Sequence, residues 1–404
     1  MSFQQGLSGL NASAKNLDVI GNNISNSSTI GFKGSAAQFA DVFANTAAGS
    51  STTAIGIGTA VSSISQQFTQ GNLEVTSNAL DVAINGNGFF RLSNNGAITY
   101  TRNGQFSMDK NGYIVTAGGQ FLTGYPASPS GIGVTAAAPA NLQVSSVELA
   151  PSATTSATLQ VGLDPSKSVP AVTPFDPANV LTYNDSTSLS LYDSLGGQHT
   201  LSTFFVKTAA NNWDVYGKLD NSVIAGGRIG NMVFNTNGTV SSAPDISLSL
   251  PVTTGAASIA LTLKISNSTQ FSTGFSTTPP AQDGYAAGKL TGFAIAKDGI
   301  ITANYSNGQT RAQGQIAISN FVNSQGLQTL GGNQWAETAA SGQPATGVPG
   351  TSNLGVLQSG ALESSAIDLT AELVDMITAQ RVYQANAQTI KTQDSVLQTL
   401  VNLR

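Results

Sequence analysis

The chain has 404 residues, enough for about two to four ordinary domains, and no cysteine, which excludes disulfides and thiolate metal sites. Only 9% of its residues are charged and the net charge is −5, against about 25% charged in average soluble domains, so no basic field exists to hold nucleic acid or an anionic membrane. The 43 glycines, with abundant Ser, Thr, Asn, Gln and Ala, leave a surface that interacts by hydrogen bonds and shape and repels its own copies weakly.

At the start, Phe3, Leu7, Leu10, Ala14, Leu17 and Ile24 recur at alternating steps of four and three, with Gly21 filling one slot. That rhythm predicts an amphipathic helix over 2–24, ~30–35 Å long at 1.5 Å per residue. Asn26-Ser27-Ser28 and Gly31 end it. No basic segment, apolar run and small-residue cleavage site opens the chain, so a cleavable Sec signal peptide is not expected. No run of 18 apolar residues predicts a membrane span. These absences fit the cytoplasm, or export through a channel that needs no cleaved signal.

Residues 25–70 are polar and rich in Gly, Ser, Thr and Ala, loosest at 44–51, and read as an extended linking segment ordered by its neighbours. From Gly71 the texture becomes short strands and turns. Leu80, Val82 and Ile84 alternate before Asn85-Gly86-Asn87-Gly88, which predicts a tight hairpin into Phe89-Phe90-Arg91-Leu92. Turn signals spaced by about 8–12 residues suit a sandwich or barrel. Pro126, Pro129, Pro139 and Pro151 suggest a boundary near 125–155. A second β-rich unit then runs to about 280 through strands at 188–192, 203–206 and 259–263, and Pro279-Pro280 closes it.

Strand-and-turn texture resumes from Gly284, and a Gly/Ser/Pro-rich stretch over 340–360 precedes the last helix, at about 368–403. Ser365 or Asp368 is placed to cap that helix, and Glu372 and Asp375 suit the positive end of its dipole. Along it Leu369, Leu373, Met376, Gln380, Tyr383, Ala387, Ile390, Asp394, Leu397 and Val401 repeat the heptad rhythm. Val374, Ile377, Val382, Val396, Leu400 and Leu403 form a second apolar strip that one partner helix could not cover. Seams at both termini mark a chain built to associate by its ends.

The expected fold is therefore α+β: terminal α-helices forming a coiled-coil base (1–24 with 366–404), then the linking segment, an inner mainly-β domain (71–145 with 284–360) and an outer inserted β-domain (146–283), both sandwich- or barrel-like. Domains strung in series would give the same spacing.

Catalytic constellations are missing. The single histidine, His199, has no Gly-x-Ser-x-Gly partner motif and reads as a solvent-facing strand residue. Asp109-Lys110-Asn111-Gly112 departs from a calcium loop and reads as a turn. Gly284–Leu290 departs from a phosphate loop. No catalytic site, metal or cofactor is expected.

The ends carry a resemblance. Residues 17–26 and 29–33, which include Asn22, Asn23, Asn26, Gly31 and Phe32, strongly resemble the N-terminal signature of the bacterial flagellar rod and hook axial protein family. Residues 368–377, then 380–386 with Gln380, Arg381 and Tyr383, and 390–404 are similar to its C-terminal signature. Ser25 stands where the motif more often has Ala. The large middle, with Gly124-Tyr125-Pro126, Thr173-Pro174-Phe175 and 188–196, resembles the hook members rather than the shorter distal-rod members.

The resemblance implies a homopolymeric tube outside the cell that joins rod to filament and transmits torque while bending. It implies contacts with rod proteins below and a hook–filament junction protein above. It also implies assembly under a hook-cap protein, and export by the flagellar type III apparatus. Polymerisation would rest on Phe3, Leu7, Leu10, Ala14, Leu17 and Ile24 of the first helix and Leu369, Leu373, Met376, Ala387, Ile390, Leu397 and Val401 of the last. The rival readings are another axial protein of the same system, a secreted β-rich adhesin, and an enzyme.

Overall fold

The computed structural model describes residues 2–42, 56–128, 133–135, 138–145, 147–220 and 222–402. Two α-helices close the chain at its ends, α1 (Ser2–Ser25) and α2 (Leu369–Asn402), and everything described between them is strand, turn or short 3-10 helix. The fold is α+β. No described helix is long and apolar enough to cross a membrane.

The chain divides into two compact units. Unit 1 comprises Met1–Ser146, Gly292–Asn304 and Thr310–Arg404; unit 2 comprises Val147–Thr291 and Tyr305–Gln309.

In unit 1 the helices pack against each other and against a two-stranded antiparallel sheet, β1 (Ser35–Val42) with β2 (Gly58–Gln66). That hairpin lies inside the stretch read as an extended linking segment. The loosest part of that stretch, 44–51, falls outside the described residues, as do Leu403 and Arg404. The strands earn their order from α1: Gln5 Nε2 donates to Gly56 O at 2.6 Å, and Thr59 N to Ser8 Oγ at 3.3 Å. Composition hid them because neither strand carries a buried residue or a strict apolar alternation.

Next come β3 (Leu73–Val75), which pairs with Ala361–Glu363, and β4 (Val82–Asn85), which pairs with Val356–Ser359. The hairpin expected at Asn85-Gly86-Asn87-Gly88 therefore does not form. The tight turn falls at Asn95-Gly96 instead, where φ values of +50° and +96° join β5 (Phe89–Asn94) to β6 (Ala97–Thr101). Both central residues need left-handed backbone in a type I′ turn, and Asn-Gly supplies it at least cost. Beyond these strands a larger sheet places Thr310–Ile316, Phe121–Pro126, β5, β6, Gln334–Ala336 and Gln328–Gly331 side by side. Its aromatic core brings Phe89, Tyr100, Phe321 and Trp335 together with Phe68 in edge-on contacts. Trp335 Nε1 donates to Gln66 Oε1 at 2.7 Å, which fastens the end of β2 to that core.

Unit 2 is all β. Five antiparallel strands follow one another as a meander: Asp185–Tyr192, Gln198–Ala209, Asn212–Leu219, Ser222–Phe234 and Val240–Ser242. Smaller sheets, one built on Ile246–Leu250, Ile259–Lys264 and Ser156–Thr158, cover its apolar face. The core includes Leu163, Leu191, Leu201, Phe205, Trp213 and Leu263. The strict alternation of Asn212–Leu219, buried at every second residue, is the pattern of a sheet with one face in a core.

His199 corrects its sequence reading. It is buried, because it lies in phase with Leu201, Thr203 and Phe205 on the core face of its strand. The Gly/Gln/Thr neighbours that suggested solvent exposure occupy the other phase or the preceding turn.

Candidate assembly surface

The terminal helices are the natural place to look for function, and the face by which they meet is mostly small and polar. On α1, Gly6, Ala12, Ser13, Val19, Ile20 and Asn23 are buried. On α2 the least exposed positions are Glu372, Met376, Ala379, Asn386, Ala387, Ile390 and Gln393, and all but Ala387 step by three and four or by seven. Close approach needs glycine. A Cβ on Gly9 would lie 2.8 Å from Asn386 Nδ2, and one on Gly6 3.1 Å from Ile390 Cγ1.

Asn23 is the polar keystone. Its Nδ2 donates to Ser35 O at 2.8 Å and to Glu372 Oε1 at 3.0 Å, while its Oδ1 accepts from Ser35 N at 3.0 Å. One side chain thus links α1, β1 and α2. Asp368 caps α2, accepting from Thr370 N at 2.9 Å and Ala371 N at 3.3 Å, which satisfies donors that a helix start leaves orphaned. Between the helices and the hairpin lies an open groove of about 820 Å³, floored by Ala12, Val19, Ile20 and Ala379 and rimmed by Phe39 and Val382.

The apolar seams read from the sequence share Met376 and Ile390 with this face and otherwise lie mostly open. On α1, Phe3 and Leu7 are exposed, and Leu10, Ala14, Leu17 and Ile24 are only partly covered. On α2, Leu369, Leu373, Leu397 and Val401 are exposed, at 45%, 45%, 54% and 74%; Met376, Ala387 and Ile390 are partly covered. The second strip is open as well, with Val374, Ile377, Val382 and Val396 all near half exposure. Of the signature residues, Asn23 and Gly31 are buried, Asn26 and Phe32 are partly buried, and Asn22, Gln380, Arg381 and Tyr383 lie at the surface.

A buried ionic cluster stands below the helices and was not singled out from sequence. Glu363 is fully buried and receives Lys33 Nζ at 2.6 Å on Oε1 and Arg102 Nη1 at 3.0 Å on Oε2. Lys33 also donates to Thr69 O at 2.6 Å, Arg102 Nη2 to Gly86 O at 2.7 Å, and Gly71 N to Glu363 Oε1 at 2.9 Å. Burial pulls both cations below their ordinary pKa, and the Glu363 carboxylate opposes that pull. Gly31 sits at the same junction with φ +69°, its N–H donating to Glu363 O at 2.8 Å. The usable signal was rarity: in a chain this poor in charge, a glutamate inside Ala361-Leu362-Glu363 needs a reason.

Among the described residues no cluster of His, Asp and Glu could hold a metal ion. Asp109 forms a turn, accepting from Asn111 N and Tyr113 N.

Comparison with known proteins places this arrangement. Four family models match in chain order: the flagella basal body rod protein over residues 3–33, and the flagellar hook protein FlgE/F/G D1 domain over 83–157. The flagellar basal body protein FlaE D2 domain follows over 162–285, and the flagellar basal body rod FlgEFG protein C-terminal over 358–403. The chain is 45% identical to the flagellar hook protein FlgE of Escherichia coli and 44% to that of Salmonella typhimurium, in both cases over the whole of each chain. It is 32% identical to the FlgE of Brucella suis, covering 98% of that protein. The crystal structure of Helicobacter pylori flagellar hook protein FlgE2 covers 72% of this chain with a TM-score of 0.54 at 16% identity, a likeness of fold.

Proposed function

This chain belongs to the flagellar hook protein family and is a structural subunit of the hook; we propose that it polymerises with copies of itself through the outward apolar faces of α1 and α2. The observation that carries the reading is the division of labour on the helices. Mainly small and polar residues, with Val19, Ile20, Met376 and Ile390 among them, serve the contact within the chain, and most of the large apolar residues of the seams are left over for neighbours.

Magnitudes support a many-neighbour contact. Phe3, Leu7, Leu369, Leu373, Val374, Ile377, Val382, Val396 and Leu397 are each roughly half exposed, and Val401 is more so. Burying the open half of one such side chain is worth ~1 kcal/mol, so together they offer on the order of 10 kcal/mol. Association costs ~4–15 kcal/mol before any surplus appears. A single pairwise contact is therefore weak, whereas a subunit touching several neighbours at once is held.

In the proposed tube the terminal helices line the inner wall and the β-rich remainder forms the wall outside it. Bending is then a set of small shifts between nearly equivalent packings, because low-charge, Ser/Thr/Asn/Gln-rich contacts have no ion pairs to fix one register. Torque from rod to filament passes through the same contacts. The proposed partners are rod proteins below, the hook–filament junction protein above, and the hook-cap protein and type III export apparatus during assembly. The subunit is proposed to work outside the cell, exported without signal cleavage, and to have no catalytic role.

Electron microscopy of the purified full chain beside a version lacking 1–24 and 366–404 tests this. Tubes from the full chain alone, with the trimmed chain soluble, are the expected result. Ordered polymers from the trimmed chain would refute it. Cross-links between β units of neighbouring subunits should stiffen the tube; unchanged bending would remove the sliding account.

A further inference from the structure

The one histidine of the chain is held between two carboxylates. His199 Nε2 lies 3.1 Å from Asp193 Oδ2, and Nδ1 lies 2.7 Å from Asp220 Oδ2. Asp193 is fully buried and satisfied on every side: Oδ1 accepts from Leu195 N and Gly197 N, and Oδ2 also from Thr254 Oγ1 at 2.9 Å. Asp220 differs. Its side chain is 47% exposed, and its other oxygen accepts from Thr200 N at 2.8 Å.

We propose that Asp193, His199 and Asp220 form a proton-binding site that pins the turn at Asp220 to the strand Gln198–Ala209. An imidazolium carries two N–H donors, one for each carboxylate; a neutral imidazole carries one. The remaining proton belongs on Nε2, because an unpaired charge at buried Asp193 costs far more than one at Asp220, which water reaches. Once Nδ1 is bare it faces Asp220 Oδ2 acceptor to acceptor at the distance of a hydrogen bond. Asp220 then turns outward, and Thr200 N loses its acceptor.

Among the described residues no other charge facing the ring competes. The 251–258 loop contributes Thr254 and has no charged residue, and strand alternation puts Asp214 and Lys218 on the opposite face of the sheet. Burial pulls the imidazole pKa down, yet the hydrogen bonds and charges of Asp220 and Asp193 raise it above its ordinary value. The side-chain tie from Asp220 is thus made below the imidazole's midpoint and lost above it, while the backbone bond from Asp220 N to Thr200 O at 2.9 Å stays in both states. This proposal stands independently of the assembly reading.

With one histidine in the chain, long-range proton–nitrogen NMR of the full-length protein gives a single imidazole system. The expected titration midpoint lies above ~6.5, with the neutral form protonated on Nε2. Through that transition the Thr200 amide should lose protection after correction for intrinsic rates, because its acceptor on Asp220 leaves. Asp220→Asn should bring the midpoint down by about one unit, the effect of removing an adjacent opposite charge. A midpoint at or below ~6.5, a neutral form protonated on Nδ1, a Thr200 exchange rate that ignores the transition, or a midpoint unmoved by Asp220→Asn would each overturn the proposal. The first three need no variant, so a misfolded Asp220→Asn leaves the test intact.

Discussion

Replacing Glu363 by glutamine keeps the shape of the side chain and removes the one carboxylate among the described residues that contacts Lys33 and Arg102. Both cations are almost wholly buried, so neither can recover a counter-charge from solvent. Removing one partner of a buried ion pair costs ~3–5 kcal/mol, largely through the charge left behind. Here two charges are left, but carbonyl oxygens of Thr69 and Gly86 still accept from them, and the new amide oxygen keeps one bond. The expected loss is therefore ~3–4 kcal/mol in unit 1. The two tryptophans, Trp335 and Trp213, fall one in each unit, so urea unfolding followed by fluorescence in a Trp213→Phe background reports unit 1 alone. With a slope of ~2 kcal/mol per molar urea, the midpoint should fall by ~1.5–2 M. A loss under ~1 kcal/mol would show that the cluster is hydrated or dispensable and sink the reasoning.

Gly31→Ala should destabilise unit 1 by at least ~2 kcal/mol, since the backbone is left-handed there and a Cβ would sit 2.7 Å from Arg102 C and Asn103 N. Gly21→Ala is its counterpart: a Cβ meets nothing within 4 Å, so α1 should gain ~0.5–1 kcal/mol of helix stability in the monomer, read by circular dichroism. Ile377→Asp and Leu397→Asp should leave monomer unfolding within ~0.5 kcal/mol while abolishing tubes in electron micrographs; a destabilised monomer would show that these residues serve the fold. Asp368→Ala should cost ~1 kcal/mol and fray the start of α2 in amide exchange. For unit 2, followed by Trp213 in a Trp335→Phe background, stability should be highest between about pH 4 and 6.5. Above that window it falls as His199, whose folded pKa is raised, loses its proton. Below it the relevant group is Asp193. Burial pushes that carboxyl up, but hydrogen bonds from His199, Thr254, Gly197 and Leu195 outweigh burial and bring it down to about 2. Its contribution is lost as pH falls through that value.

What could be read ahead of the structure was local. Helix ends, the two candidate caps Ser365 and Asp368, of which Asp368 serves, and the strands around 188–192, 203–206 and 259–263 all announce themselves within a few residues. The helices also show why an apolar seam can mislead about phase. Where a helix packs tightly on its own chain through Gly6, Gly9 and Ala379, that face is faint in a hydropathy pattern, and the pattern, Met376 and Ile390 aside, reports mainly the outward face. His199 failed for the opposite reason: its neighbours' polarity outweighed its phase with Leu201 and Phe205. The Lys33–Arg102–Glu363 cluster joins positions 261 and 330 residues apart, and no window of sequence contains it.

That separation also sets an order of events. A ribosome adding ~5–20 residues per second releases Lys33 some 330 residues before Glu363, a wait of roughly 15–65 seconds. During that interval the two cations have no counter-ion to enter a core with, and β3 and β4 lack Ala361–Glu363 and Val356–Ser359 as partners. Unit 2, drawn almost entirely from one continuous stretch, carries no such delay. The β1–β2 hairpin can settle on α1 early, but the core around Lys33 and Arg102 closes only after Glu363 has been added.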